Sequence, residues 1–203
     1  MTTISIIGSG NMASAIGTRA VEHGHTVELL SRNTATAQAL AEQIGAGATV
    51  GTFGARPTGD IVIVAVLYDG VVDAVSGYGD ALAGKILVDI SNPFNDDASG
   101  LVTPSSAAEE MAAVAPESAH VVKAFNTIFG HVLSKGTPLD AFLAGDSAEA
   151  KSTFGAFLDS VELRPRDVGG LQAARLLEQA GLLLMGVARN GAGFDVALGA
   201  DVS

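Results

Sequence analysis

Thr3-Ile-Ser-Ile-Ile-Gly-Ser-Gly-Asn-Met-Ala-Ser-Ala-Ile-Gly-Thr-Arg-Ala-Val21 is the stretch that decides the fold. Its first five residues are mostly apolar and β-branched, which predicts a strand buried on both faces, as in a parallel sheet. From Asn11 onward the apolar residues recur at helical spacing. The stretch therefore predicts a strand, a tight turn and a helix in that order.

The turn carries a Gly-x-Gly-x-x-Ala pattern formed by Gly8, Gly10 and Ala13. The first glycine permits the turn, the second lets a pyrophosphate approach the backbone, and the alanine allows close packing of helix on strand. Free N–H groups at the helix start attract the phosphates. An ordinary strand–turn–helix with small residues is the alternative. We expect dinucleotide binding at Gly8, Ser9, Gly10, Asn11 and Met12.

The end of the second predicted strand, Thr26 to Leu30, bears on the choice between NAD and NADP. An acidic residue there would bind the ribose 2′-hydroxyl of NAD. This chain has Ser31 and Arg32 instead, and Glu28 lies too early in the strand. A hydroxyl and a guanidinium suit a 2′-phosphate. Ser31 as the cap of the next helix, with Arg32 solvated, is the alternative. The sequence favours NADP.

Composition narrows the class of protein further. The chain has 203 residues, a formal net charge of −11 and no cysteine. That balance argues against a nucleic-acid or anionic-membrane surface, and the lack of cysteine excludes disulfides and thiolate sites. The N-terminus runs directly into the first strand without a visible secretory signal, so we expect a cytoplasmic protein.

Predicted strands and helices alternate along the whole chain. Alternation of this kind predicts a doubly wound, mostly parallel sheet with helices on both faces and a short C-terminal extension. We expect one NADP-binding domain over residues 1–203, with a core over 1–145 and the second-substrate side over 146–203. The last strands could pair in either direction, so one edge of the sheet could be mixed.

Ligands of open α/β sheets lie outside the carboxyl ends of the strands. The loops there, beyond the two described above, are expected to surround the nicotinamide. Their residues are Ala65, Leu67, Tyr68, Asp69, Ser91, Asn92, Pro93, Asn126, Thr127 and Ile128. No clear general acid stands among them, although Tyr68, His131 or Lys123 could serve. That pattern favours hydride transfer between two conjugated rings, which needs chiefly alignment and a dry pocket.

The last helix, predicted over Leu171 to Arg189, is apolar on nearly every side. A helix of this kind is buried on several faces. In so small a chain we expect part of it to lie in a homodimer interface.

Several motifs together resemble the NADPH-dependent reductases of the deazaflavin coenzyme F420. They are Ile6 to Met12, Ser31-Arg32, Val122 to Ile128, Asp167 to Leu171 and Arg189 to Gly193. The resemblance implies a dimeric oxidoreductase that moves a hydride between NADP(H) and the deazaflavin. It also implies that the deazaflavin ring is held by Asn126 to Ile128 and by the turn from Asn190 to Gly193, which contains Gly191.

Two points leave the cofactor selectivity and the second substrate open. The family often has a lysine, also on the 2′-phosphate, where this chain has Thr36, so the preference for NADP over NAD could be weaker. Related enzymes with the same dinucleotide half act on flavins, ferric chelates or imines. A reductase of such an acceptor, or a non-catalytic NADP-binding sensor, remains an alternative.

Overall fold

The computed structural model describes residues 1–201, and these residues form one sheet with helices against it. Its strands are β1 (Thr3–Ile7), β2 (Thr26–Leu30), β3 (Ala48–Val50), β4 (Ile61–Val64), β5 (Ile86–Asp89), β6 (His120–Lys123), β7 (Leu139–Gly145) and β8 (Leu163–Asp167). The spatial order of the eight strands is β3-β2-β1-β4-β5-β6-β7-β8. The predicted α/β fold is therefore confirmed.

The order of the strands reverses beside β1. This strand pairs in parallel with β2 on one side and with β4 on the other. Ile4, Ile6 and Ile7 are fully buried between these neighbours, as a strand covered on both faces requires. The reversal opens a crevice at the carboxyl ends of β1 and β4, where ligands of such sheets bind.

Helices cover both faces of the sheet. They are α1 (Asn11–Glu22), α2 (Thr34–Ile44), α3 (Val71–Tyr78), α4 (Ala107–Val114), α5 (Gly130–Leu133), α6 (Ala148–Ser160) and α7 (Ala174–Val187). Buried residues of α1, α2 and α6 form one core with the sheet. Those of α3 and α4, with Ala174 of α7, form the core on the other face.

One edge of the sheet is mixed. β6 and β7 are antiparallel, with Lys123 opposite Ala144, whereas β7 and β8 are parallel. Beyond α7 the chain turns back along this edge, and the N–H of Ala200 donates to Asp140 Oδ2 at 2.7 Å. This segment is the predicted C-terminal extension.

Several elements are shorter than their sequence patterns predict. The apolar run from Asp60 to Leu67 predicts one strand, yet β4 ends at Val64 and Leu67 is 86% exposed. The last helix also departs from its pattern, because it opens with a 3₁₀ turn at Leu171–Ala173 and ends in a π turn at Ala188–Ala192. Asn190 and Gly191 have non-helical backbone angles, and the helix ends at these residues. The short helix α5 is not predicted at all.

Within residues 1–201, no helix is long and apolar enough to cross a lipid bilayer.

Candidate functional site

A cavity of about 630 Å³ lies at the carboxyl ends of β1, β4 and β5. It is lined by residues from the three loops that follow these strands: Gly10, Asn11, Met12, Ala65, Val66, Leu67, Tyr68, Asp69, Ile90, Ser91, Asn92 and Phe94. The topology accounts for its position, since parallel strands bring their carboxyl ends to the same edge. Nine of the residues predicted to surround the ligand therefore meet in one crevice.

The geometry of the turn after β1 requires a glycine at its first position. Gly8 has φ +127°, and a Cβ on it would lie 2.2 Å from the carbonyl oxygen of Ala65. Gly10 is the residue before α1, and no described side chain caps that helix. A Cβ on Gly10 would have nothing within 4 Å. The first glycine keeps β1 close to β4, and the second leaves the helix start open toward an anion.

Three hydroxyls meet beside this helix start. Ser9 Oγ lies 3.3 Å from Ser31 Oγ and 2.9 Å from Thr36 Oγ1. Asn33, not Ser31, caps α2, because its side chain accepts from the N–H groups of Ala35 and Thr36. The interpretation of Ser31 as the cap is therefore wrong. The Ser31 hydroxyl instead connects the loop after β2 to the loop after β1, through Ser9.

Arg32 follows the hydroxyl cluster and is exposed. With Gly8, Ser31 and Phe53 it lines a neighbouring cavity of about 210 Å³. The guanidinium lies against the ring of Phe53. By contrast, Glu28 is buried and accepts hydrogen bonds from Ser5 Oγ and the N–H of Thr58. A cation and hydroxyls without a competing carboxylate fit a sugar phosphate.

A second cavity of about 190 Å³ adjoins the crevice. It shares Met12, Ile90, Asn92 and Phe94 with the larger cavity. Its further lining is Phe125, Asn126, Ile128, Phe129, Gly130, Gly181, Leu184 and Met185. None of these described residues is ionisable. The cavity therefore offers flat apolar surface and amide groups, but no acid or base.

Two asparagines join the loops around this cavity. Asn92 Nδ2 donates to the carbonyl oxygen of Asn126 at 2.9 Å, and Asn126 Nδ2 donates to Asn92 Oδ1 at 3.0 Å. Phe125, just before Asn126, has φ +61°, a conformation that costs a non-glycine residue about 1–3 kcal/mol. Phe154 packs against its ring, with centroids 5.9 Å apart. This packing helps to hold the bend that turns Asn126 toward Asn92.

Five predicted site residues lie outside the linings of these cavities. Ser9 contacts the hydroxyls of Ser31 and Thr36. Pro93 and Thr127 are buried within the loops after β5 and β6. Asn190 and Gly191 lie on the exposed turn after α7, where Asn190 Nδ2 donates to the carbonyl of Gly186 at 2.8 Å. A role of these residues in binding stays a prediction.

Tyr68 forms a contact that the sequence did not reveal. Its hydroxyl donates to Oε2 of Glu110, a residue of α4, at 2.9 Å. Burial and the neighbouring Glu110 carboxylate raise the pKa of the Tyr68 hydroxyl. His131, another proposed proton donor, stacks on Phe129 with ring centroids 5.8 Å apart and is exposed to solvent. Of the two side chains, Tyr68 alone lines the large cavity.

A sheet in this strand order, with a glycine turn at its reversal, is the Rossmann type of dinucleotide-binding fold. Residues 3–93 match the model of the family described as NADP oxidoreductase, coenzyme F420-dependent. Over this segment the chain is similar to that family, in agreement with the resemblance seen in the sequence.

Curated relatives of the chain include two kinds of reductase. The chain is 30% identical to the F420-dependent NADP reductase of Methanocaldococcus jannaschii over 66% of this chain and 64% of that protein. It is 33% identical to the rat metalloreductase STEAP3 over 90% of this chain. It spans only 37% of the length of the rat protein.

The fold extends over the whole chain of a solved structure. A crystal structure from Arthrobacter sp. FB24, assigned as an F420-dependent NADP reductase, superposes with a TM-score of 0.87 over 100% of both chains at 21% identity. The predicted enzyme class, an NADP-dependent oxidoreductase, is the class of the matched family.

Proposed function

We propose that this protein transfers a hydride between NADP(H) and the deazaflavin coenzyme F420. The observation that carries the proposal is the second cavity, which is apolar, without ionisable groups among the described residues, and shares a wall with the dinucleotide crevice. Such a cavity suits a flat ring held against the nicotinamide.

The chemistry needs little from ionisable side chains. Bound NADPH would supply a hydride, and the bound deazaflavin would accept it together with one proton from solvent, which leaves NADP⁺ and the reduced deazaflavin. The protein's contribution is alignment and exclusion of water around the two rings. Met12, Ile90, Asn92 and Phe94 would flank the place where the two rings meet, since these residues line both cavities.

The phosphates of NADP(H) would bind at the other end of the crevice. The uncapped start of α1 at Gly10 and Asn11 would hold the pyrophosphate. Ser31 and Arg32 would bind the 2′-phosphate, supported by Ser9 and Thr36. Asn126 to Ile128, with Asn190 and Gly191 of the turn after α7, would hold the deazaflavin.

A reductase of a metal chelate or a flavin is the second candidate. The observation in its favour is the 33% identity to a metalloreductase over 90% of this chain. The same crevice would then hold NADPH, and the second cavity would hold the flat ring of a flavin that passes electrons to the metal.

A homodimer is part of the proposal. Leu176, Leu183 and Val187 are 62%, 63% and 46% exposed on one side of α7, although large apolar side chains are seldom left in water in such a row. A second copy of the chain would cover them. Sedimentation at micromolar concentration should give a dimer, and Leu183→Glu should give a monomer. A wild-type monomer would exclude this part.

Activity assays separate the candidates. Purified protein with NADPH and oxidised F420 should bleach the deazaflavin absorbance in a one-to-one ratio with NADPH consumed. Flavin mononucleotide with a ferric chelate serves as the competing acceptor. Faster turnover with that pair would favour the metalloreductase, and tight NADPH binding without turnover on any acceptor would favour a sensor.

A further inference from the structure

Three charged side chains are completely buried beneath the crevice. Lys123 at the end of β6, Asp89 at the end of β5 and Glu178 on α7 are each 0% exposed. Lys123 Nζ donates to Asp89 Oδ2 at 2.7 Å, to the carbonyl oxygen of Ser91 at 2.6 Å and to Glu178 Oε1 at 2.8 Å. All three donors of the ammonium are thereby used.

The cluster fixes the loop after β5. Asp89 Oδ1 accepts from the N–H of Ser91 at 3.0 Å and from its hydroxyl at 2.8 Å. Together with Lys123, it holds both the N–H and the carbonyl group of Ser91. Ser91 and the next residue, Asn92, line the large cavity. The position of this wall is therefore set from below by the buried charges.

The same cluster fixes α7 against the crevice. Glu178 Oε1 also accepts from the N–H of Ala107, at the start of α4. The preceding carbonyl, of Leu177, accepts from Asn126 Nδ2 at 2.8 Å. One turn along, a Cβ on Gly181 would lie 3.0 Å from Asn92 Oδ1. The helix thus contacts both asparagines of the second cavity.

Stability alone does not explain this arrangement. Two carboxyl groups face one ammonium, and Glu178 Oε2 has no partner among the described residues. Burial raises the pKa of the Glu178 carboxyl, against the effect of Lys123. Apolar side chains of similar volume often replace buried ion pairs without loss of stability. A costly cluster between two cavity walls suggests a role in their geometry.

We propose that Lys123, with Asp89 and Glu178, is a positioning residue that sets the distance between the two ring sites. The inference rests on the proposed hydride transfer. Lys123 lines neither cavity. It holds the Ser91–Asn92 wall by its contact to the Ser91 carbonyl, and it holds α7 through Glu178.

The test is Lys123→Met combined with Asp89→Asn and Glu178→Gln, which removes the ammonium and leaves no bare buried carboxylate. We expect kcat to fall about ten- to hundred-fold, since small displacements have effects of that size. The KM for NADPH should change by less than about two-fold, because the phosphate contacts are distant. The deuterium isotope effect with 4-deuterated NADPH should rise as the hydride step slows.

Lys85→Met is the matched control. Lys85 is also a buried lysine, paired with Asp60 at 3.1 Å, but it lies at the amino end of β5, away from the crevice. Its loss should lower the melting temperature and leave kcat unchanged. If the triple variant does not fold, Glu178→Leu alone decides, since it leaves Lys123 bonded to Asp89 and Ser91 but removes the acceptor that ties α7 to Lys123 and Ala107. A folded variant with wild-type kcat and isotope effect would overturn the proposal.

A final readout does not depend on the acceptor. The fluorescence of bound NADPH reports the surroundings of its nicotinamide, and it should differ between the wild type and the triple variant at equal saturation. If the wild type reduces no acceptor, the proposed function fails, yet this comparison still tests the positioning role. Identical emission spectra would reject it.

Discussion

The guanidinium carbon of Arg32 lies 5.5 Å from the centroid of the Phe53 ring. Phe53 in turn packs edge-on against Tyr78, with centroids 5.1 Å apart. Stacking on a ring that is itself fixed restricts an otherwise exposed arginine. Arg32 is thereby held next to Ser31, with its remaining donors available for a phosphate.

Arg32→Ala should weaken NADPH binding and leave NADH binding nearly unchanged. The lost charge-assisted contact is worth about 1.5–3 kcal/mol, or about a ten- to hundred-fold rise in Kd. Titration of the cofactor fluorescence measures both constants. Arg56→Ala is the control, because Arg56 is exposed and, within residues 1–201, donates only to the carbonyl of Ala83 at 3.0 Å. Equal losses for both cofactors would make Arg32 a structural residue.

Thr36→Lys should strengthen NADPH binding. Thr36 is exposed and its hydroxyl lies 2.9 Å from Ser9 Oγ, so an ammonium on this turn of α2 would reach the same phosphate. Exposed pairs contribute about 0.2–1 kcal/mol, which predicts a gain of up to about five-fold at low salt. Repeating the titration in high salt should abolish the gain. Thr36→Gln, which has similar reach but no charge, should show no gain at either salt concentration.

The two glycines of the turn should respond differently to alanine. Gly8→Ala places a Cβ 2.2 Å from the Ala65 carbonyl oxygen at φ +127°, so we expect a loss of unfolding free energy of about 3 kcal/mol or more. Gly10→Ala has no such clash and should fold normally, while its methyl group obstructs the pyrophosphate. Thermal unfolding and NADPH titration distinguish the effects. Normal NADPH affinity in Gly10→Ala would argue against phosphate binding at this turn.

Asp140→Asn should destabilise the protein at neutral pH but not in acid. Burial raises the pKa of this carboxyl, yet the N–H of Ala200 and the side chains of Arg164 and Arg166 lower it more, so the net pKa lies below its usual value. Stabilisation from a lowered pKa is complete above the unfolded value of about 3.9 and disappears as the pH falls through the folded value.

At pH 7 the variant should lose about 1–3 kcal/mol of unfolding free energy, and this difference should shrink below about pH 4. Urea unfolding at the two pH values provides the measurement. Asp60→Asn is the control, because the Asp60 side chain is 89% exposed. A loss that stays constant down to acid pH would mean that packing, not charge, accounts for the effect.

Local patterns were sufficient to predict the fold and one end of the site. The apolar β1, the glycine turn and the basic end of β2 are continuous in sequence, so their contacts follow from neighbouring residues. The ends of the strands were harder to predict, because hydrogen bonding to the neighbouring strands decides where a strand ends. The run through Ala65 to Leu67 is apolar, yet it leaves the sheet to form a wall of the crevice.

Contacts between distant segments could not be predicted in this way. Phe53 reaches Arg32 from the loop after β3, and Glu178 reaches Lys123 across 55 residues. The charged residues Asp89 and Lys123, which follow buried apolar residues at the ends of β5 and β6, were the available signal for the buried cluster. A lysine in a fully covered strand needs a partner carboxylate, but the sequence does not say which.

The wall common to both cavities limits how such an enzyme can evolve a new acceptor. Met12 and Phe94 line both cavities, so under the proposed function a substitution at either residue would alter the surroundings of both rings at once. Ile128, Phe129, Leu184 and Met185 line only the smaller cavity. Divergence toward new acceptors should therefore accumulate at these four positions, while the residues that line both cavities stay under constraint from both ligands.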